Sequence, residues 1–241
     1  MSDLDYGYRI LDDAGQYVEH ASAYIEKALR GALTERGKAS LLVSGGSSPK
    51  PVYEMLSHVD LPWENVTISL VDERWVKEGE AGSNADFIKA TLLQNRASSA
   101  MFFPLTNEKT TAKLGAKELT KTFDETFPDP IDVCVMGMGK DGHTASWFPH
   151  ASTLAQAFEI DGADSLVWQD ATGQAGNSGF CDRITVSLPL VMRARHVPLL
   201  IPGHQKKTVW DVSGEKDVFE APVTTLRAAG PRLTVFTHLG E

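Results

Sequence analysis

Short apolar runs alternate with longer amphipathic stretches along most of this chain, a pattern that predicts strands joined by helices. The runs Ala39–Val43, Val66–Val71, Ile131–Met136, Val197–Ile201 and Leu233–Thr237 are five or six residues long in the manner of buried strands, and Gly or Pro lies near most of them. Met101–Pro104 reads as a short strand, Leu166–Trp168 as an edge strand, and Ile184–Leu188 as an alternating strand that Pro189 stops. Pro198 belongs at the start of its strand or on a sheet edge, because it offers no N–H to a neighbour.

Between these runs the period changes. Val18, Ala21, Ile25, Leu29 and Leu33 share one helical stripe, with Asp12 and Asp13 placed to cap it and Gly37 to close it. Val52–Leu56, a segment carrying Ala85, Ile88, Leu92 and Leu93, Thr110–Phe123 and Pro222–Ala228 also read as helices, and Ser83 or Asn84 is the expected cap of the second. Pro128 and Pro130 end the third, Thr144–Phe148 suggests a short helical turn, and a short helix follows Gly203. Ala151–Gly179 has little periodicity, and Gly173, Gly176 and Gly179 mark it as flexible loop. Strands alternating with helices imply a largely parallel sheet covered on both faces. No linker is visible, so residues 1–241 are expected to form one domain.

Composition narrows this picture. Hydrophobic residues make up 42% and charged residues 23%, as in ordinary globular chains, and the net charge of −9 disfavours a broad surface for nucleic acid or anionic membrane. A small anion site needs only a few local cations and N–H groups, so it stays open. Cys134 and Cys181 are the two cysteines, too few for a disulfide framework or a structural zinc site. No run approaches the roughly 20 apolar residues of a membrane helix, and the start MSDLDYGYRI lacks a secretion signal, so a cytoplasmic protein is expected.

Polar loops follow four of the strands: Gly45–Ser48, Asp72–Arg74, Gly139–Thr144 and Gly203–Lys206. Taken singly, each has a structural reading, as a strand-to-helix turn, a solvated charge cluster, a glycine turn or a helix start. In a parallel sheet, however, these ends share one edge and open onto one crevice. Glycine N–H groups, serine hydroxyls, Arg74, Lys206 and His143 together describe an anionic ligand beside a proton-transfer group. The other histidines and the five tryptophans read as surface or packing residues.

The segments LLVSGGSSPKPVYEML, SLVDERWV with the following GSN, GMGKDGHTASWFPH, RITVSLPL and IPGHQKK resemble the 6-phosphogluconolactonase family, in order across nearly the whole chain. The resemblance implies a single-domain, Rossmann-like three-layer α/β/α fold of the glucosamine-6-phosphate deaminase type. It also implies hydrolysis of 6-phospho-D-glucono-1,5-lactone to 6-phosphogluconate, with no metal and no organic cofactor. By motif, His143 falls on the catalytic histidine. Gly45, Gly46, Ser47, Ser48, Arg74 and Lys206 fall on positions that bind the phosphorylated sugar acid, with Asp72, Asn84 and Arg183 as neighbours. Gly139, Asp141, Gly142 and Thr144 complete the histidine loop, Asp141 as an orienting group and the glycine N–H groups or Arg74 as oxyanion donors. Two departures concern pocket shape: Trp147 where an aliphatic residue is usual, and Lys77 where a proline often stands.

Opening a lactone requires oriented water, removal of its proton and stabilisation of an oxyanion. Histidine suits the proton step because a free imidazole titrates near pH 6.5. No GxSxG elbow supports a serine nucleophile. A deaminase-isomerase of the same fold is the nearest alternative, but it would carry an asparagine-glutamate pair where Ser146-Trp147-Phe148-Pro149 stands, and a tyrosine in place of Arg74. A non-catalytic sugar-phosphate sensor is a third reading, against which stand His143 and the lack of an appended DNA-binding motif. The expected partner is a small phosphorylated sugar lactone, with neither nucleic acid nor membrane, and a monomer is the working expectation.

Overall fold

The computed structural model describes residues 6–127, 129–160 and 164–240. Pro128, expected to help end a helix, lies outside them. Strand β1 (Gly7–Leu11) leads into α1 (Ala14–Arg36), which begins where the Asp13 carboxylate accepts the Gln16 N–H and ends where Gly37, at φ 71°, returns its own N–H to the Leu33 carbonyl. Residues with positive φ at that position avoid a steric penalty only as glycine. The fully buried β2 (Ala39–Val43) runs through the Gly45 loop into α2 (Lys50–Ser57), with Pro49 at its start. Next come β3 (Val66–Leu70), β4 (Asp72–Arg74) and α3 (Asn84–Thr91), whose cap is Ser83, not Asn84.

Strand β5 (Met101–Phe102) is shorter than its sequence suggested, and α4 (Ala112–Thr126) is capped by Thr111. The central apolar run forms β6 (Val133–Cys134) and β7 (Met136–Gly137). Beyond them lie α5 (Leu154–Phe158), β8 (Leu166–Asp170), β9 (Asp182–Val186), α6 (Leu188–Arg193), β10 (Val197–Leu200), α7 (His204–Ser213), a 3-10 segment (Pro222–Arg232) and β11 (Leu233–His238).

Several expectations give way here. Pro189 does not stop a strand that reaches Leu188; it sits in the first turn of α6, where a missing N–H costs nothing. Thr144–Phe148 is not helical: the Trp147 N–H closes a tight turn on the Thr144 carbonyl at 2.9 Å, with Ala145 at φ 47°. The Pro222–Ala228 segment is a 3-10 helix that continues to Arg232 across a break at Gly230.

The sheet explains why the central run splits. β6 pairs with β2 and β7 with β10, all in parallel, so one segment joins β5-β3-β2 on one side to β10-β11-β1 on the other. The bond from the Val135 N–H to the Leu42 carbonyl and that from the Cys134 N–H to the His196 carbonyl show it facing both neighbours. A strand bonded on both sides and covered on both faces is fully buried, and Val133 to Met136 are 0% exposed. Pro198 therefore lies at the start of an interior strand. β4, β9 and β8 form a separate antiparallel ribbon. The architecture is the mostly parallel three-layer α/β/α fold.

Trp63, Trp147 and Trp210 belong to the core, as a packing role requires. Trp147 donates to the Val186 carbonyl at 2.9 Å and meets Phe158 edge-on. Among the described residues no helix is long and apolar enough to cross a membrane.

Candidate active site

Beyond the carboxyl ends of β2, β3 and β7, the strand-end loops enclose a cleft of about 230 Å³. It brings together Gly45, Gly46, Ser47, Ser48, Asp72, Arg74, Asn84, Gly139, His143, Arg183 and Lys206. Asp141, Gly142 and Thr144 do not line it. Asp141 stands behind His143; Gly142, at φ 86°, makes the turn against Ala221; and the fully buried Thr144 hydroxyl donates to the Gly137 carbonyl at 2.7 Å. Trp147 and Lys77 also lie off the lining.

His143 is held on several sides. Its Nδ1 is 2.6 Å from Asp141 Oδ1, and a carboxylate only accepts, so Nδ1 carries a proton and, in the neutral ring, Nε2 keeps the lone pair. Burial alone raises the Asp141 carboxyl, but the hydrogen bond and charge of the imidazole outweigh it and hold the group below the usual carboxylate value. Phe148 lies 4.7 Å from the ring, and the ring edge meets Gly139 too closely for a Cβ there. The Gly139 position thus serves close approach rather than an unusual φ.

Gly176 flanks the same ring. A Cβ there would lie 2.7 Å from the His143 Nδ1 and Cε1 atoms and 2.8 Å from Asp141 Oδ2. The Gly173–Gly179 stretch, expected to be a flexible loop, is tied down: the Asn177 side chain donates to the Ala171 carbonyl, and Arg183 donates to the carbonyls of Phe180 and Asn177 at 2.9 and 2.6 Å. Gly176→Ala is therefore expected to lower kcat by about tenfold or more through displacement of the imidazole, since misplacement by about 1 Å can cost 10²-fold. Steady-state kinetics with a circular-dichroism control checks this; unchanged kcat would show that the ring tolerates the methyl group.

A buried polar layer orients the rest. Glu73, 1% exposed, accepts the N–H groups of Arg74, Asn84 and Ala85 and thereby holds the start of α3. Burial pushes its carboxyl up, against the pull of those N–H groups. Asn84 is then aimed at β4, its amide donating to the Asp72 carbonyl at 2.9 Å, and it packs so tightly on Gly45 that no side chain fits there. Asp72 accepts the Ser146 hydroxyl at 2.6 Å and lies 3.5 Å from Arg183 Nη1. Arg74 donates to the Gly82 carbonyl and lies over Phe180, 5.8 Å from the ring centre.

A lysine also lines the cleft. Lys206 Nζ donates to the Ser48 hydroxyl at 2.6 Å, and burial, helped by the nearby Lys140, pulls its pKa down. An anion arriving there relieves both penalties. Gly46, at φ 101°, turns the loop into α2 beside it. Sequence reasoning missed Met138, Ala145 and Ser178 as lining residues and did not place Gly176 there; Ser44 and Pro49 it read only as parts of the Gly45 loop. Ser44 and Gly137 were within sight, being the last residues before recognised loops; Ser178 comes from an aperiodic stretch that gave no signal.

The family of glucosamine-6-phosphate isomerases/6-phosphogluconolactonase matches residues 12–235 of this chain. A 6-phosphogluconolactonase of Mesorhizobium japonicum is 34% identical over 214 residues, covering 88% of this chain and 86% of that protein. One from Neisseria meningitidis is 36% identical over 213 residues, covering 88% and 90%. The crystal structure of a 6-phosphogluconolactonase from Shewanella baltica OS155 superposes with a TM-score of 0.90 at 35% identity, covering 97% of both chains.

Proposed function

The chain belongs to the family of glucosamine-6-phosphate isomerases and 6-phosphogluconolactonases, and we infer that it hydrolyses 6-phospho-D-glucono-1,5-lactone to 6-phosphogluconate, the lactone-opening step of the pentose phosphate pathway. The observation that carries the mechanism is the Asp141–His143 pair beside a cleft that Arg74, Arg183 and Lys206 also line.

The phosphate is held by Lys206, the Ser47 and Ser48 hydroxyls and the N–H groups of the Gly45–Gly46 turn. That contact orients the lactone with its carbonyl toward His143. Nε2 takes a proton from water, the water oxygen bonds to the carbonyl carbon, and the carbonyl becomes an oxyanion facing Arg74 and backbone donors. Collapse breaks the bond from that carbon to the ring oxygen, which takes the proton back from the imidazolium. Asp141 keeps the tautomer and steadies the transient charge.

Release of 6-phosphogluconate from freshly generated lactone, with no ammonia from glucosamine 6-phosphate, tests the assignment; the reverse pattern would overturn it. The protein supplies no carboxylate at Ser146–Pro149, where Trp147 and Phe148 are core residues, which favours the lactonase over the deaminase.

Lys206→Ala is expected to raise KM about 10- to 100-fold with little change in kcat, the loss of one charge-assisted contact. Because the Lys206 pKa lies below that of an ordinary lysine, inhibition by 6-phosphogluconate should weaken as pH rises through the alkaline range, earlier than for a free amine. A loss confined to kcat would contradict a phosphate-anchoring role.

A further inference from the structure

Ser44 directly follows β2, lines the cleft and is 5% exposed, yet its hydroxyl finds no hydrogen-bond partner in the protein. Its carbonyl is satisfied by the Tyr53 hydroxyl at 3.0 Å, so the backbone is fixed without help from the side chain. Among the described residues, the buried side-chain atoms without a partner are Ser44 Oγ, Arg74 Nε, Ser187 Oγ, Trp210 Nε1 and Arg227 Nε; of these residues, Ser44 and Arg74 line the cleft. Arg74 already has an anionic or oxyanion role. Ser44 has none.

A buried hydroxyl without a partner destabilises the fold, whereas an alanine of nearly the same shape does not. A ligand hydroxyl that met Ser44 Oγ would remove that cost. Among the charged groups that line the cleft, Arg74, Arg183 and Lys206 only donate and Asp72 only accepts. A serine hydroxyl does both, which matches the same dual character in an alcohol of the sugar.

We propose that Ser44 is a specificity-determining residue that exchanges a hydrogen bond with a ring hydroxyl of the sugar lactone. This rests on the lactonase reading of the cleft. Ground-state and transition-state contacts to such a hydroxyl are alike, so the bond acts on KM rather than on kcat. A polar pocket built around a hydroxyl also rejects an analogue that lacks it.

The test is Ser44→Ala. Its melting temperature should equal or exceed that of the wild type, while KM for 6-phosphogluconolactone rises about tenfold or more and kcat holds. The variant should also discriminate less than the wild type between that lactone and the set of its monodeoxy analogues. A lower melting temperature with unchanged KM would make Ser44 structural; a loss confined to kcat would make it an oxyanion donor. Either result, or unaltered discrimination, overturns the proposal. A wild type without lactonase activity would instead overturn the assigned reaction, so the two failures are told apart.

Discussion

Replacing His143 with alanine is expected to lower kcat/KM for the lactone by about 10²- to 10⁴-fold, after spontaneous hydrolysis is subtracted. The loss should fall on kcat, because the imidazole moves a proton in the transition state while the phosphate end of the cleft is untouched. Residual activity reflects orientation and the oxyanion donors, which survive the change. His143→Ala also removes the partner of Asp141, leaving a half-buried carboxylate whose pKa had been held down by the imidazole. The Asp141 pKa should therefore rise in the variant, as NMR titration of its carboxyl would record. Wild-type kcat/KM in this variant would remove His143 from the reaction.

The second large effect concerns stability. Arg183 is 2% exposed, and burial draws its pKa down while Asp72 pulls it back. Its guanidinium joins Asp72 on β4 to the carbonyls of Asn177 and Phe180. Arg183→Met is expected to cost about 3–5 kcal/mol, chiefly because Asp72 stays buried without its cation. Urea unfolding measures this. If the pair is the cause, Asp72→Asn combined with Arg183→Met should cost clearly less than the two separate losses added together. Strict additivity would assign the loss to the released carbonyls instead. Activity should fall in parallel, since Ser178 and Gly176 ride on the segment that Arg183 secures.

What could be read beforehand follows from how local each signal was. The stripe through Ala21, Ile25 and Leu29 and the runs in β2, β3 and β11 need only local sequence, because burial on one or both faces writes itself into the residue pattern. The site loops were legible for the same reason: they follow buried strands directly. Distant partners had to decide the remainder. Nothing within Ile131–Met136 announces that its first half bonds to β2 and its second to β10. Pro189 reads equally well as a stop and as a first helical turn, and the packing of α6 selects the second. Thr144 and Gly142 seemed to belong in the cleft because they share a motif with His143, but the turn directs them away from it. Gly176 contacts His143 across a long sequence separation, which no pattern near either residue reveals.

The pairing of β1 with β11, Gly7 opposite Thr234 through Leu11 opposite His238, reaches beyond the catalytic question. Ribosomal synthesis makes β1 more than two hundred residues before β11, its one sheet neighbour among the described residues. Until then β1 has no ladder to join, so that margin of the sheet closes after the Gly45, Asp72 and His143 loops have all emerged. Closing so long a loop costs little more than a medium one, because the entropy grows only logarithmically, but it slows the search. A nascent chain stalled before Leu233 should therefore expose β1 to protease, and release of a chain that includes β11 should protect it.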